Sequence, residues 1–261
     1  MKVSEIMTKK VEVIKDNELV TKARAIMRDK GHRAMPVVDR NNMMVGIIGR
    51  GDVLHITSAK SNLLVKGMMR RPVIGFEDED LYAITKRMVD NSIKQIVIVD
   101  KKVQNKFLGV VSALDILSAY VNEEYISKVD IVEKIMKDTL YCTEEDELSR
   151  IGKMMLAADL TGMPVIKAEG KNKKVVVGFV TYGDLINGGY RISEESGKQR
   201  KTKIKNVMKA IAKYVTVGER VNNVAKLMVK NRILRIPVLD NEKNKNLEGV
   251  VDIEEMLRAY L

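Results

Sequence analysis

The stretch VGIIGRGDVL, Val45 to Leu54, decides how the chain is read. Three glycines, Gly46, Gly49 and Gly51, stand between an apolar run and Asp52, which invites comparison with a phosphate loop. Dinucleotide and triphosphate loops require G-x-G-x-x-G or G-x-x-x-x-G-K-[ST], because each glycine has a steric task at a fixed place. Here the order is G-x-x-G-x-G with no lysine after it, so the loop reading fails on spacing.

The stretch recurs instead. LGVVSALDIL begins at Leu108, VGFVTYGDLI at Val177 and EGVVDIEEML at Glu248. In each copy a glycine (Gly46, Gly109, Gly178, Gly249) stands six residues before an acid (Asp52, Asp115, Asp184, Glu255). Ahead of it lies a shared block, RAMPVVD, KQIVIVD, TGMPVIK or LRIPVLD. A methionine (Met7, Met69, Met136, Met208) stands 31 or 32 residues before the end of that block, and an apolar anchor (Leu19, Leu81, Leu148, Val221) follows it by 12 or 13. The chain is therefore four copies of a unit of about sixty residues.

Within a copy the pattern is mixed. Val11 to Ile14 alternates like a short strand, and Leu19, Ala23, Ile26 and Met27 recur at helical spacing until Gly31 stops the helix. MPVVD and MVGIIG flank the turn RNN as a hairpin, and a second helix starts near Arg50. The order β-α-β-β-α predicts an α/β (α+β) fold, a small sheet with helices on one side. So short a unit buries little surface alone, so copies should pair. A cut in AYVNEEYISKVD (119–130) predicts pairs 1–122 and 123–261, with copies at 1–60, 61–122, 123–190 and 200–261, and a polar linker over 191–205.

Composition excludes several classes. One cysteine, Cys142, leaves no disulfide framework and no cysteine-based zinc site, and its apolar TLYC setting reads as a buried strand thiol. His32 and His55 are the two histidines and have no metal-ligand spacing. No signal core precedes the first copy and no apolar run reaches the ~18 residues of a spanning helix, so a cytoplasmic protein is expected, without a membrane partner. Neither a nucleophile with its base nor a metal cluster can be assembled, so neither an enzyme nor a required cofactor is expected.

The methionine block, the h-P-V-V-D strand and the G-h-h-[ST]-x-x-D turn, four times in one order, together resemble the CBS domain. That resemblance implies two Bateman modules in a roughly disc-shaped, pseudo-twofold arrangement similar to the γ subunit of AMP-activated protein kinase. It further implies a regulatory protein that binds AMP, ADP or ATP in clefts between paired copies and acts on a partner protein. An S-adenosylmethionine-type ligand fits the same chemistry, and self-association into a homodimer is open.

The turn carries two readings. The pattern [ST]-x-x-[DE] is a capping box, in which hydroxyl and acid satisfy the first helical N–H groups. The same carboxylate can accept from ribose hydroxyls, and free helical N–H groups favour a phosphate. The resemblance assigns ribose binding to Asp115 and Asp184, with Asp52 in a partial copy whose hydroxyl is replaced by Gly49, and phosphate-side hydroxyls to Ser112 and Thr181. It also places phosphate contacts two or three residues before the block's proline position, at Arg33, Lys94, Thr161 and Arg235. Copy four has Asp252 at the hydroxyl position and Glu255 at the acid, which predicts an excellent cap and a poor nucleotide site. The formal net charge of +11 admits nucleic-acid binding as a secondary activity, with the run Lys198, Arg200, Lys201, Lys203 and Lys205 as its densest patch.

Overall fold

The computed structural model describes residues 1–56, 61–103, 105–169, 173–189, 202–210 and 213–261. Each copy contributes one three-membered parallel–antiparallel array. In copy one, Ile14–Lys15 runs parallel to Ala34–Val38, which pairs antiparallel with Met44–Gly49. The same order recurs over Ile74–Phe76, Gln95–Val99 and Phe107–Ser112, over Cys142–Thr143, Gly162–Glu169 and Lys173–Thr181, and over Val215–Thr216, Arg235–Leu239 and Leu247–Asp252. A helix connects the first two strands of each copy, and another begins immediately after the third.

Two local expectations shift. The first strand is Ile14–Lys15 rather than Val11 to Ile14, because these two residues are the ones that find partners, in Val37 and Val38. In copy one the helix runs Val20–Lys30, and Val20 is fully buried while Leu19 is its 38% exposed N-cap residue. Two adjacent apolar residues made that register ambiguous, and packing selects Val20. Gly31 ends the helix as expected, with φ 74°, the left-handed region a glycine enters without Cβ strain.

The chain divides into two compact units that do not follow the cut at 119–130. One unit comprises Met1–Val11, Pro72–Thr139 and Ala212–Leu261; the other comprises Glu12–Arg71 and Leu140–Ile211. The first joins copies two and four, the second copies one and three. Residues 119–122 complete the helix Ala113–Asn122, where Ala119 and Tyr120 are buried, and the whole of 119–130 lies within the first unit, so the copies do not pair across that cut. Likewise 202–205 is not linker: Thr202 accepts from Leu148 N at 2.9 Å and Ile204 is fully buried. The remainder of the expected linker, with Lys198, Arg200 and Lys201, lies outside the described residues.

Both cores come from helix packing between alternate copies. In the first unit Ala113–Asn122 packs on Val221–Asn231 and Ile253–Arg258, burying Ile116, Leu117, Val224 and Met256. In the second, Arg50–Leu54 and Val20–Lys30 pack on Tyr182–Asn187, burying Leu54, Met27 and Leu185. Each such side chain contributes about 1.5–3 kcal/mol by leaving water, so a copy alone gives up much of its stabilisation. Cys142 is 1% exposed, and burial pushes its thiol up to about 12, as befits a packing residue rather than a nucleophile.

The unit boundaries fall after each methionine block because consecutive copies trade those blocks. Thr8, one residue past Met7, bridges to Val110 of copy two, and Arg70 of copy two bridges to Ile47 of copy one. Lys137 of copy three bridges to Val250 of copy four, and Lys209 of copy four pairs with Phe179 of copy three. The recurrent glycine now has its reason. A Cβ on Gly109 would stand 2.6 Å from the Thr8 carbonyl oxygen, and Cβ atoms on Gly178 and Gly249 would meet the Lys209 and Lys137 carbonyls at 2.9 and 2.8 Å. In copies two, three and four the glycine is the groove in which a neighbour's backbone lies, and in copy one Gly46 leaves room for the Met69 side chain.

Candidate functional site

Each hairpin ends where its two strands bring the expected residues together. Gln95 is opposite Ser112, Gly162 opposite Thr181, and Arg235 opposite Asp252. The carbonyls of Arg33, Lys94, Thr161 and Leu234 accept from Arg50 N, Ala113 N, Tyr182 N and Ile253 N, all at 2.7–3.0 Å. Arg33, Lys94, Thr161 and Leu234 are thus equivalent, and Arg235 is one position out of step. Successive strand side chains face opposite ways, so Arg235 occupies the face that Gln95 and Gly162 occupy in their copies.

Copies two and three build the same turn. Asp115 Oδ2 accepts from Ser112 N at 2.8 Å and from Ser112 Oγ at 2.6 Å, while Asp115 N donates to Ser112 Oγ at 3.3 Å. Asp184 Oδ2 accepts from Thr181 N at 2.9 Å and Thr181 Oγ1 at 2.6 Å, with the return bond from Asp184 N at 3.3 Å. Both bonds that each carboxylate accepts within its turn end on Oδ2, which leaves Oδ1 for other partners. In copy one Gly49 has no side chain, and half the arrangement survives, Gly49 N donating to Asp52 Oδ2 at 2.7 Å.

Copy four departs from the expected capping box. Asp252 accepts from Glu254 N at 3.2 Å, but Glu255 does not return a bond to Asp252 N. Its carboxylate pairs with Lys137 and lies 3.8 Å from Arg258 Nε. Two adjacent carboxylates repel, and a cation within reach draws Glu255 away. Lys94 of copy two reaches Asp252 at 3.4 Å, so within this unit the cation and the acid of different copies neutralise each other. Arg235 donates to Thr139 Oγ1 at 3.5 Å; burial holds its guanidinium below the usual range, and Asp252 opposes that shift.

Copy three's turn opens on a cavity of about 200 Å³ lined by Thr181, Gly183, Asp184, Arg28, Arg50 and Lys209, among others. Arg50 comes from copy one. Its Nε donates to the His32 carbonyl at 2.9 Å and Nη2 to the Gly31 carbonyl at 2.7 Å, which fix the guanidinium against Gly183. Burial lowers its pKa while the Asp184 charge opposes that, so the cation is held partly out of water beside an acid. Lys209 Nζ lies 3.3 Å from Asp184 Oδ1, with Asp184 only 4% exposed and Lys209 77%. Thr161 stands at the hairpin end through its carbonyl.

Sequence reasoning missed Arg50, Arg28, Arg70, Lys137 and Lys209. Arg50 stood in plain view after Gly49, but what made it relevant is copy three, over 130 residues away. Residues 8, 70, 137 and 209 form a column of their own, Thr, Arg, Lys and Lys, directly after the methionine. That column was legible; its address on another copy was not. Among the described residues no group of three or more His, Cys, Asp or Glu is placed to hold a metal, and no helix is long and apolar enough to cross a membrane.

The CBS-domain family profile matches residues 3–58, 65–122, 131–189 and 204–261. The chain belongs to the CBS-domain family. MJ1225, an uncharacterized protein of Methanocaldococcus jannaschii, is 22% identical over 279 aligned positions, covering 97% of this CBS-domain chain and 96% of its own. The crystal structure of MJ1225, described as a proposed archaeal homolog of the γ subunit of AMP-activated protein kinase, superposes with a TM-score of 0.85 over the whole of both chains at 20% identity. An uncharacterized conserved protein of Pyrococcus horikoshii gives 0.67 at 23% identity, again over both chains in full. These likenesses establish the fold. A homoserine O-acetyltransferase of Methanococcoides burtonii is 32% identical over 114 residues, which is 44% of this chain and 23% of that protein.

Proposed function

We propose that this CBS-domain protein is a regulatory module that binds adenine nucleotides at its strand-to-helix turns and conveys their presence to a partner protein. The observation that carries this reading is the cavity at copy three. There Asp184 offers a carboxylate, Thr181 a hydroxyl, and Arg28, Arg50 and Lys209 their cations, all within one concavity. A carboxylate accepts from ribose hydroxyls, and guanidinium and ammonium groups donate charge-assisted bonds to phosphate. Whole-ligand pockets run to ~300–1,000 Å³, so a cavity of about 200 Å³ accounts for the sugar–phosphate end, with the base lying beyond it. Ser112 and Asp115 repeat the hydroxyl–acid pair in copy two. Such chemistry needs no catalytic group.

Thermal unfolding of the purified protein with AMP, ADP, ATP and S-adenosylmethionine in turn tests the reading. Ligand at a hundred times its Kd adds about 2.7 kcal/mol to the native state, an upward shift of several degrees. No shift with any adenosine compound at millimolar concentration defeats it.

A further inference from the structure

The acids of the four turns differ in what reaches them from the traded methionine block. Arg70 forks onto Asp52, Nε to Oδ1 at 3.1 Å and Nη2 to Oδ2 at 3.2 Å. Lys209 pairs with Asp184 at 3.3 Å, and Lys137 with Glu255. Copy two breaks the pattern. Its incoming residue is Thr8, and among the described residues Asp115 has no ion-pair partner. The acids are largely buried, at 15%, 4% and 11% side-chain exposure, whereas the cations are 68%, 77% and 63% exposed. An exposed cation on a long stem can leave, while an acid pinned by its own helix cannot.

We propose that the residue after each methionine sets the charge of the ligand its partner turn accepts. This rests on the turns being adenosine-ligand sites. At copy three, a ligand whose ribose takes Asp184 must displace Lys209. A ligand with a phosphate gives that ammonium a new anion within the same cavity, and an uncharged nucleoside gives it none. Copy three therefore favours phosphorylated ligands over the bare nucleoside. Copy two, with Thr8 in place of a cation, imposes no such penalty and takes nucleosides and nucleotides on more equal terms. Arg70 holds copy one to the same rule as Lys209.

The test uses full-length protein carrying Asp115→Asn, which takes away the ribose acid of copy two, with and without Lys209→Thr. Lys209 is 77% exposed, so the substitution is compatible with the fold, and circular dichroism verifies it. Calorimetric titrations with adenosine and with AMP are compared. Removing Lys209 should strengthen adenosine binding by about fivefold, the factor expected for a half-solvated ion pair, and weaken AMP binding by a similar factor. The opposite signs are diagnostic, because a merely structural role moves both affinities together. The reciprocal variant, Thr8→Lys in otherwise unaltered protein, should weaken adenosine at copy two and spare AMP. If both ligands bind and both affinities move in the same direction or not at all, the charge rule is wrong while the binding reading stands. If neither ligand binds the unaltered protein, both fall.

Discussion

The turns of copies two and three can be overlaid bond for bond. Hydroxyl to carboxylate is 2.6 Å in each, and the return bond from the acid's N–H is 3.3 Å in each. Yet Asp184 sits among cations, Arg28 and Arg50 of the facing copy and Lys209 of the traded block, while among the described residues Asp115 has no ion-pair partner. The seven-residue motif fixes the geometry of the turn, and segments distant in sequence fix its electrostatics. Family motifs therefore identify where a ligand can be held and leave open which ligand.

The largest test of that separation is steric. Gly109→Ala places a methyl group 2.6 Å from the Thr8 carbonyl, a backbone atom that cannot turn aside. Gly46→Ala meets Met69 Sδ at 2.5 Å, the soft end of a flexible side chain. The first should cost about 1–3 kcal/mol and the second distinctly less, measured by urea unfolding. Equal costs would show that the traded blocks are held equally loosely in both units.

A smaller effect is expected from repairing the degenerate turn. A Cβ on Gly49 finds its nearest atoms at 3.5–3.7 Å, so serine fits, and its hydroxyl can complete the hydrogen bonds that Ser112 makes in copy two. Gly49→Ser should raise stability by a few tenths of a kcal/mol, read from the shift in denaturation midpoint. A loss instead would mean that Arg70 occupies the space the hydroxyl needs.

The smallest effect concerns the basic surplus. Lys203 donates to the Glu145 carbonyl and Lys205 to Glu145 Oε1, both at 2.7 Å and both exposed. The pair Lys203→Ala and Lys205→Ala should leave AMP affinity and melting temperature unchanged. Were this patch a nucleic-acid surface, the same variant would bind duplex DNA or RNA more weakly and with a shallower salt slope.

Much of this was readable beforehand. The four copies, the β-α-β-β-α order, the stop at Gly31 and the Ser112–Asp115 and Thr181–Asp184 pairs all follow from local spacing, which acts within a few residues. The pairing of alternate copies did not, because helices such as Ala113–Asn122 carry apolar residues that specify burial but not the burying partner. The register error at Leu19 has the same origin: either it or Val20 satisfies the pattern, and three-dimensional packing decides. The exchange of methionine blocks was hidden most deeply. Its trace, a glycine in every copy, was visible from the start, but a missing side chain does not say whose backbone fills the space.

That exchange also governs the order in which the protein can be completed as it leaves the ribosome. Thr8 is made early, yet its bridge awaits Val110, and the core above it awaits the strand and helices after Ala212. The unit holding residues 12–71 and 140–211 has all its parts first. Chains emerge from the N-terminal end, and contacts that close long loops form slowly. The segment around Thr8 thus waits for its bridging partner until Val110 is made, and its unit waits for the residues after Ala212, whereas the other unit is complete by Ile211.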